Sequence, residues 1–308
     1  MAKRWICLLA VILLLPAAAA AGTVYSRDET EPFAEDAGLL TIRVAPELGA
    51  DCMLMTLDGH SMFIDLGVAK NYPMIRQLID LAGIDQVEYV FSTHPHTDHL
   101  GGFQPLLESG FEVGALITFF PHDYSGESVI QRKAIRAAEE YGVPVLDMQS
   151  EDRIPFGDAE LTAYRIPGEK IRKGMSCNDL STMLLVRYGG CSILLGADVE
   201  AECEGILTNL YELKADILKY PHHGLSKANL EFLREVDPQY VIFTHGTINT
   251  KHAQKQLKQN GYFRMMFATW GVITLQTDGE KWIVSQEINP ETADYAQRYL
   301  KENPWIRQ

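Results

Sequence analysis

The sequence predicts an α/β (α+β) fold in which two β-sheets pack face to face and helices cover both outer sides. From Leu39 onward, short apolar runs typical of strands alternate with amphipathic runs of helical period. Some neighbouring strands are joined by tight turns such as Gly189-Gly190, whereas others are separated by a helix. Because hairpins make antiparallel pairs and helical crossovers make parallel pairs, a chain that uses both is better accommodated by two mixed sheets than by one parallel sheet.

The predicted elements follow one another without a low-complexity break. In the first half we predict strands at 40–44, 52–57, 62–65, 87–92, 115–120 and 144–146, and helices at 72–81, 103–108 and 128–141. In the second half we predict strands at 161–166, 182–188, 192–195, 215–219, 240–244, 263–267, 271–276 and 281–286, and helices at 200–210, 227–235 and 251–259. We therefore expect one domain at 39–288, preceded by an exposed lead-in at 22–38 and followed by a tail at 289–308 that carries a short surface helix.

The N-terminal residues 1–21 have the pattern of a secretory signal peptide. Lys3 and Arg4 precede an apolar stretch, and Pro16 and an alanine run follow it before Gly22. An uncleaved membrane anchor is the alternative, because the 20 residues from Trp5 to Val24 carry no charge and match the length of a single span. Both interpretations predict an exported protein that is extracellular, periplasmic or anchored on the outer face of the cytoplasmic membrane.

The composition indicates a globular chain that is not a general polyanion binder. The 308 residues are 46% hydrophobic, which is enough for a full core, and 27 basic residues against 41 acidic ones give a formal charge of -14. Any contact with nucleic acid must therefore be local, and the sequence indicates no protein partner.

Four cysteines lie beyond the predicted signal peptide: Cys52, Cys177, Cys191 and Cys203. An even number in an exported protein permits disulfides, and four cysteines allow three pairings. Buried free thiols are the interpretation we favour, because Cys52 and Cys191 lie inside apolar strand-like runs.

The strongest chemical signal is a cluster of three histidines and one aspartate. His94, His96, Asp98 and His99 come directly after the apolar strand predicted at 87–92, and two glycines follow them. A turn that leaves the end of a strand can direct alternate side chains to one place. Imidazoles and carboxylates are ligands for Zn, Mn or Fe ions. A surface turn rich in histidine by chance is a poor alternative, because the whole chain contains only nine histidines.

Two later segments supply further metal ligands at predicted strand ends. Asp198 follows the strand at 192–195, and His222 and His223 follow the strand at 215–219. Asp198 is equally compatible with an N-cap of the next helix. The adjacent histidines favour a ligand role, since neutral imidazole is the commonest metal-binding side chain.

This arrangement, from about Leu39 to Glu287, resembles the metallo-β-lactamase superfamily. The signature His-x-His-x-Asp-His matches at every defined position of the run from His94 to His99. Within that superfamily the chain is most similar to the hydrolase domain of ComEC-type DNA-uptake proteins. The matching segments are His94-Pro-His-Thr-Asp-His-Leu-Gly-Gly102, Asn178 with Ser181 before a Tyr-Gly-Gly hairpin, Leu194-Leu-Gly-Ala-Asp198, Leu218-Lys-Tyr-Pro-His-His-Gly224 and Phe63-Ile-Asp-Leu-Gly67.

The resemblance implies a four-layer αββα sandwich with a site for one or two divalent ions, Zn or Mn. By this analogy His94 and His96 hold one ion, Asp98 and His99 hold the other, and Asp198 bridges them. His222 completes the second site, and His223 is the alternative. The chain departs from the family in two places: Asn178 stands where a further histidine is expected, and Val44-Ala-Pro-Glu-Leu-Gly-Ala-Asp51 replaces an Asp-Val-Gly-Gln-Gly-Asp run.

Catalytic and substrate-binding side chains are expected beside the metal ligands. Two bound cations would activate a shared water and stabilise charge, and Asp98 is suited to orient that water or accept its proton. His252, at the predicted start of a helix, is a second catalytic candidate, with a capping or surface role as the alternative. The predicted substrate-binding residues are Asn178, Ser181, Lys170, Arg172 and Lys173. For the three basic residues, a solvated charged loop is the alternative to a phosphate clamp.

The sequence thus predicts an exported metal-dependent hydrolase, namely a phosphodiesterase or nuclease acting on nucleic acid or nucleotides. Hydrolysis of a lactam, ester or thioester is the second hypothesis. A catalytically weak binding protein attached to the cell envelope, suggested by Asn178, is the third.

Overall fold

A computed structural model describes residues 22–34, 38–118 and 128–308 of the chain. The predicted signal peptide at 1–21 and the end of the strand predicted at 115–120 lie outside these residues. Among the described residues, no helix combines the length and apolar character needed to cross a membrane.

Two β-sheets form the centre of the fold. The strands of the first sheet are β1 (Thr23–Ser26), β2 (Leu40–Val44), β3 (Cys52–Leu57), β4 (His60–Leu66), β5 (Gln86–Ser92), β6 (Glu112–Thr118), β7 (Val145–Asp147), β15 (Gly271–Thr277) and β16 (Lys281–Ile288). The strands of the second are β8 (Arg153–Phe156), β9 (Ala159–Tyr164), β10 (Met183–Tyr188), β11 (Cys191–Leu195), β12 (Ile217–Lys219), β13 (Tyr240–Phe243) and β14 (Met265–Phe267). Their spatial orders are β1-β16-β15-β2-β3-β4-β5-β6-β7 and β14-β13-β12-β11-β10-β9-β8.

Helices cover the outer face of each sheet. The helices on the first sheet are α1 (Tyr72–Ala82), α2 (Thr97–Leu100), α3 (Phe103–Glu108) and α4 (Val129–Tyr141). Those on the second sheet are α5 (Ala201–Thr208), α6 (Leu230–Val236), α7 (Lys251–Gln259) and α8 (Pro290–Glu302). A third apolar cluster, which includes Phe91, Leu184 and Trp282, fills the space between the sheets. The predicted four-layer αββα sandwich is confirmed.

Most predicted elements lie within a few residues of the observed ones because their apolar side chains either repeat at the period of the element or form a short continuous run. Two strands were missed. The edge strand β8 contains Pro155, which is tolerated there because an edge strand has one unpaired side.

The second missed strand corrects the prediction of an exposed lead-in at 22–38. Residues 23–26 form β1, which pairs in parallel with β16, and Val24 is buried. We did not predict β1 because it is only four residues long and charged residues follow it.

The C-terminal tail carries the predicted surface helix, which packs against the domain along one side. This helix is α8, in which Ala296 is buried and the Tyr299 ring packs edge-on against Phe267 and Trp270. The four cysteines of the described chain are free thiols, in agreement with the favoured prediction.

Parallel pairing aligns the strand ends that carry the polar motifs. Strands β4 to β7 run parallel in the first sheet, as do β11 to β14 in the second. The carboxyl ends of β4, β5, β11, β12 and β13 therefore open onto one edge of the sandwich. At that edge the sheets are joined by a hydrogen bond of 3.0 Å from the Thr182 N–H to the Thr93 carbonyl.

Candidate metal centre

The predicted ligands from three separate chain segments meet at this edge. The Oδ2 atom of Asp198, which follows β11, lies among imidazole nitrogens from both histidine segments. Its distances are 3.9 Å to His94 Nε2, 3.2 Å to His99 Nε2, 3.9 Å to His222 Nε2 and 3.4 Å to His223 Nε2. Asp198 is 1% exposed, so its carboxylate is almost completely removed from water.

His94 and His96 form one group of ligand atoms beside Asp198. The distance from His94 Nε2 to His96 Nδ1 is 3.0 Å. On its other side, His94 Nδ1 lies 3.1 Å from the Thr93 hydroxyl oxygen, which itself donates to Asp65. The hydroxyl can therefore accept from the Nδ1–H of His94, which leaves the Nε2 lone pair free for an ion.

His99, His223 and Asp98 form a second group on the same Asp198 oxygen. His223 Nε2 lies 3.3 Å from His99 Nε2 and 3.5 Å from Asp98 Oδ2. The resemblance implied that His222 completes the second site, with His223 as the alternative. The structure places the alternative, His223, in that position. His222 instead lies beside Asn178, whose Nδ2 is 3.2 Å from His222 Nε2.

Carboxylates behind the second group orient its imidazoles. Asp65, at the end of β4, accepts from His99 Nδ1 at 2.7 Å, and Asp51 accepts from His223 Nδ1 at 3.0 Å. Thr244, after β13, donates to Asp51 at 2.7 Å and lies 2.9 Å from the same His223 nitrogen. Since the Nδ1 atoms of His99 and His223 are hydrogen-bonded to carboxylates, their Nε2 atoms are left to face the centre, as in carboxylate–histidine–metal arrangements.

A buried lysine lies between the two innermost carboxylates. The ammonium of Lys219, the last residue of β12, forms an ion pair with Asp51 and lies 3.9 Å from Asp198 Oδ1. It also donates to the Ala197 carbonyl at 3.0 Å. Lys219 therefore turns towards one Asp198 oxygen, while the other oxygen faces the imidazoles.

Unusual backbone conformations turn these side chains inward. His222 and His223 both have left-handed φ values, 47° and 54°, and Ala197, next to Asp198, has a φ of 48°. Such conformations cost a non-glycine residue about 1–2 kcal/mol each and are concentrated at functional sites. The His222 N–H donates to the Ala197 carbonyl at 2.9 Å, which ties the two strained turns together.

The electrostatics of the centre favour a cation. Burial lowers the pKa of His223, but Asp198 and Asp51 outweigh it and raise that pKa to about 10. The pKa of Asp98 falls to about 2: burial acts to raise it, and the hydrogen bond from His223 and the charge of His99 overcome that effect. Burial, and to a smaller extent the positive charge of His99, holds the pKa of His94 well below its usual value. The carboxylates that attract a proton to His223 would also attract a divalent ion.

The donor set fits divalent metal ions. Two ligand atoms bound at about 2.0–2.2 Å to one tetrahedral ion are separated by roughly 3.3–3.6 Å. The spacings among Asp198, His99 and His223 are 3.2, 3.4 and 3.3 Å, close to the lower end of that range. Asp198 Oδ1 is buried without a hydrogen bond. One acceptor atom from each of Asp51, His99, Asp198 and His223 falls within 4.8 Å of the others. These residues present nitrogen and oxygen donors in the mixture that Zn and Mn accept.

The predicted substrate-binding residues do not share one environment. Asn178 contacts His222 directly. Ser181 is fully buried, and its hydroxyl oxygen accepts the Asp198 N–H at 3.2 Å, so it positions Asp198 rather than facing a substrate. Arg172 forms an exposed ion pair with Glu202, which agrees better with a solvated charged loop than with a free phosphate clamp. Lys170 and Lys173 are exposed.

The second catalytic candidate lies apart from the cluster. His252 is exposed on α7, and within the described chain no hydrogen bond or ion pair joins it to the metal ligands. Asp98, by contrast, belongs to the second group, and its side chain is 34% exposed, so that it faces both the cluster and solvent.

Sequence reasoning missed Asp51, Asp65 and Lys219. Each lies in a segment that had been compared with the family: Asp51 ends the divergent run at 44–51, Asp65 is in Phe63-Ile-Asp-Leu-Gly67, and Lys219 precedes the histidine pair. Their spacing alone carried no signal, because their partners are 34 and 172 residues away in the pairs Asp65–His99 and Asp51–His223.

Comparisons with known proteins identify the family of the chain. The family model described as the metallo-beta-lactamase superfamily matches residues 45–245, which is well over half of the chain. Competence protein ComA of Neisseria gonorrhoeae is 26% identical over 243 residues, which cover 78% of this chain and 31% of that protein. The chain therefore spans about a third of the length of this curated relative.

One solved structure shares the fold at low sequence identity, and a second overlaps less closely. A point mutant of the CmlA beta-hydroxylase is 16% identical, with a TM-score of 0.51 over 80% of this chain and 55% of that chain. The metallo-beta-lactamase fold protein YhfI of Bacillus subtilis is 13% identical, with a TM-score of 0.49 over 70% of this chain and 92% of that chain. Taken with the ligand cluster at the strand ends, the family match shows that this chain belongs to the metallo-beta-lactamase superfamily.

Proposed function

We propose that the protein is an exported phosphodiesterase that cleaves nucleic acid or nucleotides at the Asp198 centre. One observation carries the proposal: a single Asp198 oxygen lies between two groups of imidazoles, His94 with His96 and His99 with His223. Two such groups on one carboxylate oxygen would allow the centre to hold two cations. The similarity to a competence protein supports a nucleic-acid substrate over a lactam or thioester.

Divalent ions at such a centre supply a water of lowered pKa and positive charge for the oxygens of the scissile phosphate. The residues of the chain provide the rest. Asp65 and Asp51 hold His99 and His223 in the tautomer that presents Nε2. Asp98 stays ionised at neutral pH because its pKa is about 2, so it can orient a water or accept a hydrogen bond from it at the open side of the cluster.

Asn178 supplies a polar side chain beside His222. Its Nδ2 lies beside His222, and its Oδ1 is buried without a hydrogen-bond partner. We infer that the amide adjusts when substrate binds and then donates to a phosphate oxygen. Lys170 and Lys173 remain candidates for contacts with a longer substrate, whereas Arg172 would first have to leave Glu202.

The test is a substrate panel on the purified protein, loaded separately with Zn and with Mn. Bis(p-nitrophenyl) phosphate, single-stranded DNA and nitrocefin represent the phosphodiester and lactam hypotheses, and ester and thioester substrates complete the panel. We expect the protein to hydrolyse bis(p-nitrophenyl) phosphate and single-stranded DNA. The rate should fall at least about 100-fold in His96→Ala. His60→Ala is the matched control, because His60 pairs with Glu88 at the opposite end of β4.

Preferential turnover of nitrocefin or of a thioester would replace the proposed substrate class. Metal binding without turnover of any substrate would favour an envelope binding protein instead.

A further inference from the structure

The first described residue, Gly22, is held inside the fold at the edge opposite the metal centre. Its carbonyl accepts from Gln239 Nε2 at 2.6 Å, and the Val24 N–H donates to Gln239 Oε1 at 3.1 Å. Gln239 immediately precedes β13, and Cys191, which begins β11, packs against Gly22. These are the amino ends of strands whose carboxyl ends carry the metal ligands.

A side chain at position 22 would crowd Cys191. A Cβ atom there would lie 2.5 Å from Cys191 Sγ and 3.1 Å from Cys191 Cα. Cys191 itself is 1% exposed and cannot move into solvent to make room. The residue that follows the predicted signal peptide is thus a buried, closely packed part of the domain.

A buried carboxylate lies next to the backbone nitrogen of Gly22. Asp216 is 3% exposed, and it accepts the Gly22 N–H as well as the Ser192 N–H, the latter at 2.7 Å. Gln239 Nε2 is 3.3 Å from its other oxygen. No Lys, Arg or His side chain of the described chain lies within 4.0 Å of it. A buried carboxylate without a cation is costly, and burial accordingly raises the pKa of Asp216.

The sequence marks the same residue independently. Ala19-Ala20-Ala21 precedes Gly22 and has the small side chains that signal peptidases require before the cleaved bond. Cleavage at this bond would convert the Gly22 amide nitrogen, already hydrogen-bonded to Asp216, into a charged amine.

We propose that hydrolysis of the Ala21–Gly22 peptide bond matures the protein and that the new α-ammonium of Gly22 forms a buried ion pair with Asp216. A peptidase adds one water across the bond. The oxygen of that water completes the Ala21 carboxylate, and the Gly22 nitrogen leaves as an amine that takes up a proton. The usual pKa of an α-amino group is about 7.7–8.0, so this amine is largely protonated at neutral pH even before Asp216 stabilises the charge.

This inference depends on export but not on the reaction that the metal centre catalyses. Gly22 and the cluster lie at opposite ends of β11 to β13, so maturation stabilises the domain without rearranging the cleft. It also gives a reason why the residue after the alanine run is a glycine with no side chain.

Two measurements test the proposal. The first is the intact mass of protein recovered from an exporting host, where the expected N-terminus is Gly22. The second is the melting temperature of four proteins that form a thermodynamic cycle. Two begin at Gly22 and two at Ala21, and in each pair one protein keeps Asp216 while the other carries Asp216→Asn. We expect the chain that starts at Gly22 to melt roughly 2–5 °C higher, because a charge-assisted hydrogen bond is about twice as strong as a neutral one.

The Asp216→Asn substitution should abolish that difference, whereas Asp158→Asn, at an exposed hairpin position, should leave it unchanged. If Asp216→Asn does not fold, acetylation of the Gly22 amine replaces it and should lower the melting temperature by the same amount. A natural N-terminus other than Gly22 would overturn the proposal. The proposal would also be overturned if the proteins that begin at Gly22 and at Ala21 melted at the same temperature, or if their difference persisted in Asp216→Asn.

Discussion

Replacement of Lys219 by methionine tests whether the centre depends on a buried cation of its own. The ammonium is 1% exposed, forms an ion pair with Asp51, and lies 3.9 Å from Asp198 Oδ1. Methionine keeps the length of the side chain but leaves the Asp51 charge buried and without its cation. Removing one partner of such a pair typically costs about 3–5 kcal/mol. For a domain of about 290 residues that unfolds with roughly 2.1 cal/mol/K per residue, this is a fall of about 5–8 °C in Tm.

The assay is urea and thermal unfolding in the presence of a chelator, so that metal binding does not add to the measured stability. Lys214→Met is the matched control, since Lys214 pairs with Asp237 at the surface and both side chains are more than half exposed. That variant should lose no more than about 1 kcal/mol. The double variant Asp51→Asn with Lys219→Met removes both charges and should regain most of the stability. The reasoning is refuted if Lys219→Met is no less stable than Lys214→Met, or if the double variant is as unstable as the single one.

Three further predictions concern a buried acid and the ligands. Burial raises the pKa of Glu204 to about 8, so the folded chain keeps a proton that the unfolded chain releases near 4.5, and stability falls as pH rises between those values. Glu204→Gln should therefore raise the free energy of unfolding by a few kcal/mol at pH 8 and by little at pH 4.5 in urea titrations, and an equal gain at both would contradict this assignment. Asn178→His places an imidazole beside His222 and should increase the metal retained per chain after dialysis, measured by elemental analysis; unchanged retention would show that the first group does not lack a ligand. His223→Ala should weaken metal binding at least about tenfold more than His222→Ala in a competition titration with a chromophoric chelator, because His223 contacts His99, Asp198 and Asp51; equal losses would mean that the two histidines share the role.

Local patterns in the sequence were sufficient for most of the fold. The side chains of β2 and α3 repeat their polarity at the period of the element, β3 is a short apolar run, and the observed bounds of all three coincide with the predicted ones. Where the local pattern was weak, prediction failed: β1 is four residues long beside charged side chains, and it becomes a strand only because β16 offers it a parallel partner.

The sequence also predicted the types of ligand and the part of the site at 94–99. His94, His96, Asp98 and His99 lie within six residues, so their proximity follows from chain connectivity and from the strand that ends before them. Asp198 and the histidine pair could be assigned to the same edge because parallel strands end together.

Tertiary structure alone decided which atoms of those side chains face the centre. The left-handed backbone at 222–223 directs His223 inward and His222 towards Asn178, and no periodicity in the sequence predicts that choice. Asp65, Asp51 and Lys219 act on residues far away in the chain, where partners are set by the packing of two sheets. The same holds for Gly22 and Asp216. Sequence patterns encode local conformation and chemical type, whereas buried charges find their partners only once the fold has excluded water around them.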